Sequence, residues 1–68
     1  MSVYKFIELV GTSEKSWEDA LKEVVETASK TLKDLRVAEV MEMDAKIEGD
    51  QVVMYRVKVK LSFKYHKS

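Results

Sequence analysis

The stretch Val52-Val53-Met54-Tyr55-Arg56-Val57-Lys58-Val59-Lys60-Leu61-Ser62-Phe63-Lys64-Tyr65 decides the fold. Val53, Tyr55, Val57, Val59, Leu61, Phe63 and Tyr65 alternate with Arg56, Lys58, Lys60, Ser62 and Lys64. A period of two predicts a strand with one apolar and one polar face. Residues Val37 to Ile47 share that period, and Glu48-Gly49-Asp50-Gln51 separates the two runs. The pair therefore reads as a β-hairpin.

The register of this hairpin follows from charge and size. A two-residue loop at Gly49-Asp50 sets Met43 beside Arg56 and Met41 beside Lys58. A three-residue loop (Gly49, Asp50, Gln51) pairs Ile47 with Val53, Met43 with Val57 and Met41 with Val59. It also sets Asp44 opposite Arg56 and Glu42 opposite Lys58. The second register joins apolar to apolar and acid to base, so it is the one expected. It leaves Glu39 on the apolar face opposite Leu61.

Upstream, the period changes. Trp17, Ala20, Leu21, Val24, Val25, Ala28, Leu32 and Leu35 step by three and four. They draw one stripe along a helix expected from Trp17 to about Leu35. Ser16-Trp17-Glu18-Asp19 is a capping-box pattern with Asp19 in place of the usual Glu. Glu18 with Lys22, and Glu26 with Lys30, are i,i+4 pairs. Lys30 and Lys33 fall in the last turns, where cations suit the helix dipole. Before the helix, Val3 to Val10 reads as a strand that Gly11 ends, with Thr12 and Ser13 as turn. The fold class is α+β, in the order β-α-β-β.

Strand length has a consequence. Residues Val53 to Tyr65 span ~43 Å when extended. A compact domain of this size has a radius of gyration of ~11 Å, hence a diameter near ~28 Å. The helix is also ~28 Å long. One helix leaves part of the sheet bare, and Leu61, Phe63 and Tyr65 are expected to need cover from a neighbouring subunit.

Composition points the same way. At 68 residues the chain is one domain, residues 1–68, and marginal alone. It has no Cys and one His, so disulfides and the usual structural metal sites are excluded and oligomerisation is the remaining staple. Twelve Lys+Arg against 12 Asp+Glu argue against a nucleic-acid partner. No apolar run approaches the ~18 residues of a membrane span, and no secretory leader is visible. A soluble, cytoplasmic protein with no membrane partner is expected.

Chemistry-bearing residues are few. Gly11-Thr12-Ser13 lacks the spacing of a phosphate-binding loop and reads as turn and cap. Trp17 offers a stacking ring, but its place in the first helical turn suits packing that staples the helix start to the sheet or to a neighbour. His66 stands in a polar tail and reads as solvated. Met41, Met43 and Met54 suit gap-filling. Glu39, Glu42, Asp44, Glu48 and Asp50 are dense for one hairpin, yet the EF-hand spacing is not matched. Near a symmetry axis, however, one carboxylate becomes two or three ligands. No acid, base and nucleophile assemble, so the chain does not read as an enzyme.

The runs Glu8-Leu9-Val10-Gly11-Thr12-Ser13, Ser16-Trp17 with Ala20, Ala28-Ser29-Lys30-Thr31-Leu32 and Glu39-Val40 resemble the dodecins from Val3 to about Tyr65. The resemblance implies a single dodecin-like domain. Its three-stranded antiparallel sheet would wrap partly around one helix, and subunits would assemble as a hollow homododecamer. Flavin-binding dodecins store or buffer flavins. A Trp at the start of the second strand stacks on the ring, and a Gln on the third strand bonds its edge. Here Val37 stands at the Trp position and Arg56 at the Gln position. The ligand-pocket positions implied are thus Val37, Asp44 and Arg56. A stack is worth ~1–3 kcal/mol, so losing two per site weakens flavin binding by roughly thirty- to twenty-thousand-fold. Arg56, and Arg36-Val37-Ala38, look more like the calcium-associated branch of the family. In metal-bearing members an acid soon after the start of the second strand is a ligand, which maps to Glu42. The resemblance therefore implies a shell that binds or stores a small ligand or ion, with calcium or another divalent ion first. Flavin buffering at altered affinity, or assembly with no ligand, are its rivals.

Overall fold

The computed structural model describes residues 2–66. Its elements are β1 (Tyr4–Ser13), α1 (Trp17–Ser29), β2 (Leu35–Glu48) and β3 (Gln51–Lys64). The sheet order is β1-β3-β2, and both pairings are antiparallel. The alternating strand β3 is thus central, as its two clean faces require. Among the described residues no helix is long and apolar enough to cross a membrane.

The helix starts where the sequence places it. Ser16 is the N-cap, and its hydroxyl accepts from the Asp19 backbone N–H at 3.0 Å. The Asp19 carboxylate does not close the box on Ser16. It accepts from the Ser13 hydroxyl at 2.7 Å, and Ser13 Oγ accepts in turn from the Lys15 N–H at 2.9 Å. Glu18 and Lys22 pair at 3.2 Å as expected.

The helix ends at Ser29 rather than near Leu35. The Ser29 hydroxyl donates to the Glu26 carbonyl at 2.7 Å, a local bond that competes with helix continuation. The Thr31 and Leu32 N–H groups both turn back to the Ala28 carbonyl. Asp34 then reverses the chain at φ 60°. Leu32 and Leu35 still pack against the core, which is why the apolar stripe outlasts the helix. Lys30 is the C-cap and Lys33 lies beyond it, so no basic residue sits in the last helical turn.

Gly11 does not end β1, and Thr12 and Ser13 are not turn. The strand pairs with β3 through Gly11↔Val57, Thr12↔Arg56 and Ser13↔Tyr55. Gly11 is buried where the helix crosses the strand. A Cβ there would stand 2.3 Å from Val24 Cγ2 and 2.6 Å from the Ala20 carbonyl oxygen. Its bare backbone lets the helix approach.

The hairpin reaches the expected central register by another route. Gly49 and Asp50 form a two-residue loop, both at positive φ of 58° and 62°, as a type I′ turn demands. Ile47 therefore pairs with Val52, not Val53. A register shift between Lys46 and Ile47 then restores Asp44↔Arg56, Met43↔Val57 and Glu42↔Lys58. A second shift, between Val40 and Glu42, leaves Met41 out of the ladder and sets Val40 opposite Val59. This bulge moves Glu39 off the apolar face: it lies opposite Lys60, and Ala38 lies opposite Leu61. A third shift falls between Leu35 and Val37.

The core is Ala20, Val24 and Ala28 of α1 on Val57, Val59 and Leu61 of β3. Leu61, expected to lie bare, is 1% exposed under the helix, and Phe63 is half-buried. Tyr65 is bare as expected, at 48% exposed, and further bare apolar residues lie elsewhere. Met41 and Met43 lie on the edge strand β2, level with the covered Val59 and Val57, Ile47 and Val52 lie at the hairpin end, and Tyr4, Phe6, Val10 and Val37 lie on the sheet face away from the helix. The radius of gyration is 14.0 Å and the molecule measures 52 × 20 × 14 Å. Those dimensions exceed the ~11 Å of a compact chain of this length, so the long-strand argument holds; at the end it named, Tyr65 is bare and Leu61 is not.

Candidate functional site

Cross-strand partners share a face of the sheet. Opposite the helix, β3 presents Arg56, Lys58 and Lys60, and β2 sets Asp44, Glu42 and Glu39 beside them in that order. On the other side of β3, Thr12, Val10 and Glu8 of β1 face the same three cations. The result is a ladder of acid–base rungs.

Asp44 and Arg56 make the tightest rung. Arg56 Nε donates to Asp44 Oδ1 at 2.6 Å and the terminal Nη2 donates to Oδ2 at 2.8 Å. This two-point fork is the strong form of a carboxylate–guanidinium contact. The Arg56 hydrogen bonds hold the Asp44 carboxyl below its ordinary value, and the same bonds raise Arg56. Both side chains are half exposed, so solvent screens the pair.

The next rung differs. Glu42 lies opposite Lys58 but makes no ion pair with it, and the bulge at Met41 adjoins it in β2. Its carboxylate is exposed. Val10, Glu42, Asp44, Arg56, Val57 and Lys58 line a depression of about 110 Å³. Further along, Lys60 Nζ sits 4.3 Å from the Phe6 ring centre, a cation–π contact.

Val37 lies opposite Ser62, six β3 positions from Arg56 and on the same face. Six residues of strand are ~20 Å. Within one subunit, then, Asp44, Arg56 and Glu42 come together and Val37 stands apart, 61% exposed. A pocket that used both Val37 and Arg56 would need a second copy of the chain. Among the described residues of one subunit, no three His, Asp or Glu side chains gather into a metal-holding group.

Trp17 staples the helix start to the sheet, as its position suggested, and the structure supplies its partners; His66 has a role the sequence did not suggest. Trp17 Nε1 donates to the Asp44 carbonyl at 2.9 Å, and its ring meets Tyr55 edge-on at 4.9 Å. It therefore fastens the helix start to the hairpin beside the Asp44–Arg56 pair. No sequence signal joins positions 27 residues apart. His66 is not free in solvent: its Nε2 donates to Asp34 Oδ2 at 2.5 Å. That hydrogen bond, supported by the nearby positive charges, lowers the Asp34 carboxyl. It ties the chain end to the junction where β2 begins, and the Lys64 N–H also reaches the Asp34 carbonyl at 3.2 Å.

A helix packed on one face of a three-stranded sheet, with a charged and partly apolar face opposite, defines a small β-α-β-β domain. The dodecin family model matches residues 3–66, and the chain belongs to the dodecin family. It is 45% identical over 64 residues to calcium dodecin of Mycobacterium tuberculosis, covering 94% of this chain and 90% of that protein. The crystal structure of that protein, described as calcium chelating with a novel calcium-binding site, superposes with a TM-score of 0.84 at 43% identity, covering 98% and 96% of the two chains. The structure of dodecin from Streptomyces coelicolor superposes with a TM-score of 0.94 at 36% identity, covering 98% and 96%.

Proposed function

We infer that this chain is the subunit of a hollow homododecamer that binds a divalent cation, calcium first, on the outward sheet face. No bond is made or broken, and the shell acts in the cytoplasm as a store or buffer. The observation that carries the reading is the state of Glu42. It is an exposed carboxylate with no ion-pair partner among the described residues, next to a satisfied Asp44–Arg56 pair, in a chain 45% identical to a calcium dodecin. One such carboxylate is a weak ligand, since calcium takes six to eight oxygens. Two or three copies around a symmetry axis supply the rest, with Asp44 next in line. Assembly is supported by the length of the subunit and by the bare apolar residues on both ends of the sheet.

The flavin reading is weaker for this chain. Val37 offers no ring to stack, and Arg56 only donates where Gln both donates and accepts. Asp44 also engages two of the guanidinium nitrogens.

Native mass spectrometry of the purified protein tests the proposal. The expected result is twelve times the chain mass, with calcium adducts that vanish on chelation and return on addition. The variant Glu42→Gln should keep the shell and lose the adducts. A monomer or dimer would overturn the shell, and a dodecamer indifferent to calcium would leave the assembly and remove the ion.

A further inference from the structure

Trp17 does more than cover the core. It is 37% exposed, so burial alone does not account for its placement. Its polar edge is committed to one backbone atom, the carbonyl of Asp44. The helix packs chiefly on β1 and β3 and touches β2 little. β2 is also an edge strand, where carbonyls not used by the neighbouring strand lack a partner. The indole supplies one. Its ring rests against Tyr55, which precedes Arg56 in β3 and pairs with Ala45, the residue after Asp44. Trp17 thus holds both strands immediately beside the Asp44–Arg56 fork, from the other face of the sheet. Upstream, Ser16 caps the helix and the Ser13–Asp19 bond fixes the entry of the chain, so the indole projects from a braced turn.

We propose that Trp17 is a positioning residue for the outward face: its indole N–H fixes the Asp44 backbone, and thereby the geometry in which Asp44 grips Arg56. The ligand consequence rests on the function proposed above, but the coupling itself is measurable with no ligand present.

The chain has one Trp and two Arg, Arg36 and Arg56, so both ends of the coupling give single resolvable signals. The assembled protein is labelled with ¹⁵N at Trp and Arg, and Arg36→Lys assigns the Arg56 Nε–H. Trp17 is then replaced by 3-benzothienylalanine, which keeps the bicyclic shape and puts sulfur where the donor stands. The expected result is Arg56 Nε–H exchange about fivefold faster, the loss of roughly one net hydrogen bond, with assembly mass unchanged. The reciprocal variant Arg56→Gln removes a half-exposed side chain and threatens the fold least. It should speed exchange of the Trp17 indole N–H by a similar factor. Arg56 exchange that stays within twofold of the parent, or indole exchange indifferent to Arg56→Gln, would overturn the proposal and reduce Trp17 to packing. Calcium adducts are read separately in native spectra, so a failed ion reading leaves this result standing and the reverse also holds.

Discussion

Substituting Gly11 by Ala tests how the helix meets the sheet. If Gly11 were only the end of a strand, Ala would be neutral or would stabilise by roughly 0.4–1 kcal/mol, through a less flexible unfolded chain. The packing gives the opposite sign. A new Cβ would lie 2.3 Å from Val24 Cγ2, against ~3.5–4.0 Å for relaxed carbon contact. Val24 is β-branched and helical, so it has essentially one χ1 rotamer and cannot swing clear. The second clash, 2.6 Å from the Ala20 carbonyl oxygen, is with backbone that no rotamer change relieves. The helix turn holding Ala20 and Val24 must therefore retreat by ~1 Å, which opens the best-packed part of the core against Val57. Overpacking of this kind costs ~1–3 kcal/mol, and the backbone clash puts it near ~3 kcal/mol. With a urea m-value of ~1 kcal/mol/M for a small domain, the midpoint should fall by ~2–3 M. Emission from the single Trp17 reports the transition. Protein concentration must be matched, since assembly links stability to concentration. Val24→Ala removes the nearer clash and leaves the farther one. The double variant should therefore lose at least ~1 kcal/mol less than the sum of the singles. A midpoint for Gly11→Ala within ~0.5 kcal/mol of the parent, or strict additivity, would refute the close-approach account.

Further outcomes are expected elsewhere. Val37→Trp should restore quenching of flavin fluorescence that the parent does not show at tens of micromolar protein; quenching by the parent itself would restore flavin as the ligand. Asp44 and Asp34 are both held below their ordinary pKa, so their pairs stabilise the fold above about pH 4 and that share is lost as pH falls through the lowered values. Urea midpoints recorded from pH 6 down to pH 2 should accordingly fall less steeply for Asp44→Asn than for the parent, and parallel curves would deny the linkage. Ser16→Ala removes the N-cap and should cost ~1 kcal/mol by thermal or urea melting, and restoration by Asp at the same position would assign the loss to the cap. Gly49 has open space around it but φ of +58°, so Gly49→Ala should destabilise through backbone strain alone, by ~1 kcal/mol, while Gly49→Asn costs less.

The primary sequence determined the elements and the middle of the hairpin. Alternation along β3, the helical stripe from Trp17 to Ala28 and the Ser16 cap are local signals with fixed periods, and each appears where its residues require it. The rung Asp44–Arg56 was legible because opposite charges and like volumes agree on one pairing. Tertiary structure decided the rest. It stopped the helix at Ser29, although Leu32 and Leu35 continue its stripe, because both can reach the core from a turn. It placed bulges at Met41 and beside Lys46, since a long strand that wraps one helix must bend, and a bend displaces residues from the ladder. The bulge at Met41 set Glu39 against Lys60, and Glu42 beside it has no ion-pair partner among the described residues. The contacts of Trp17 with Asp44, of His66 with Asp34 and of Gly11 with α1 join residues far apart in the chain. They are distances between elements, and a distance between elements exists only once the elements have packed.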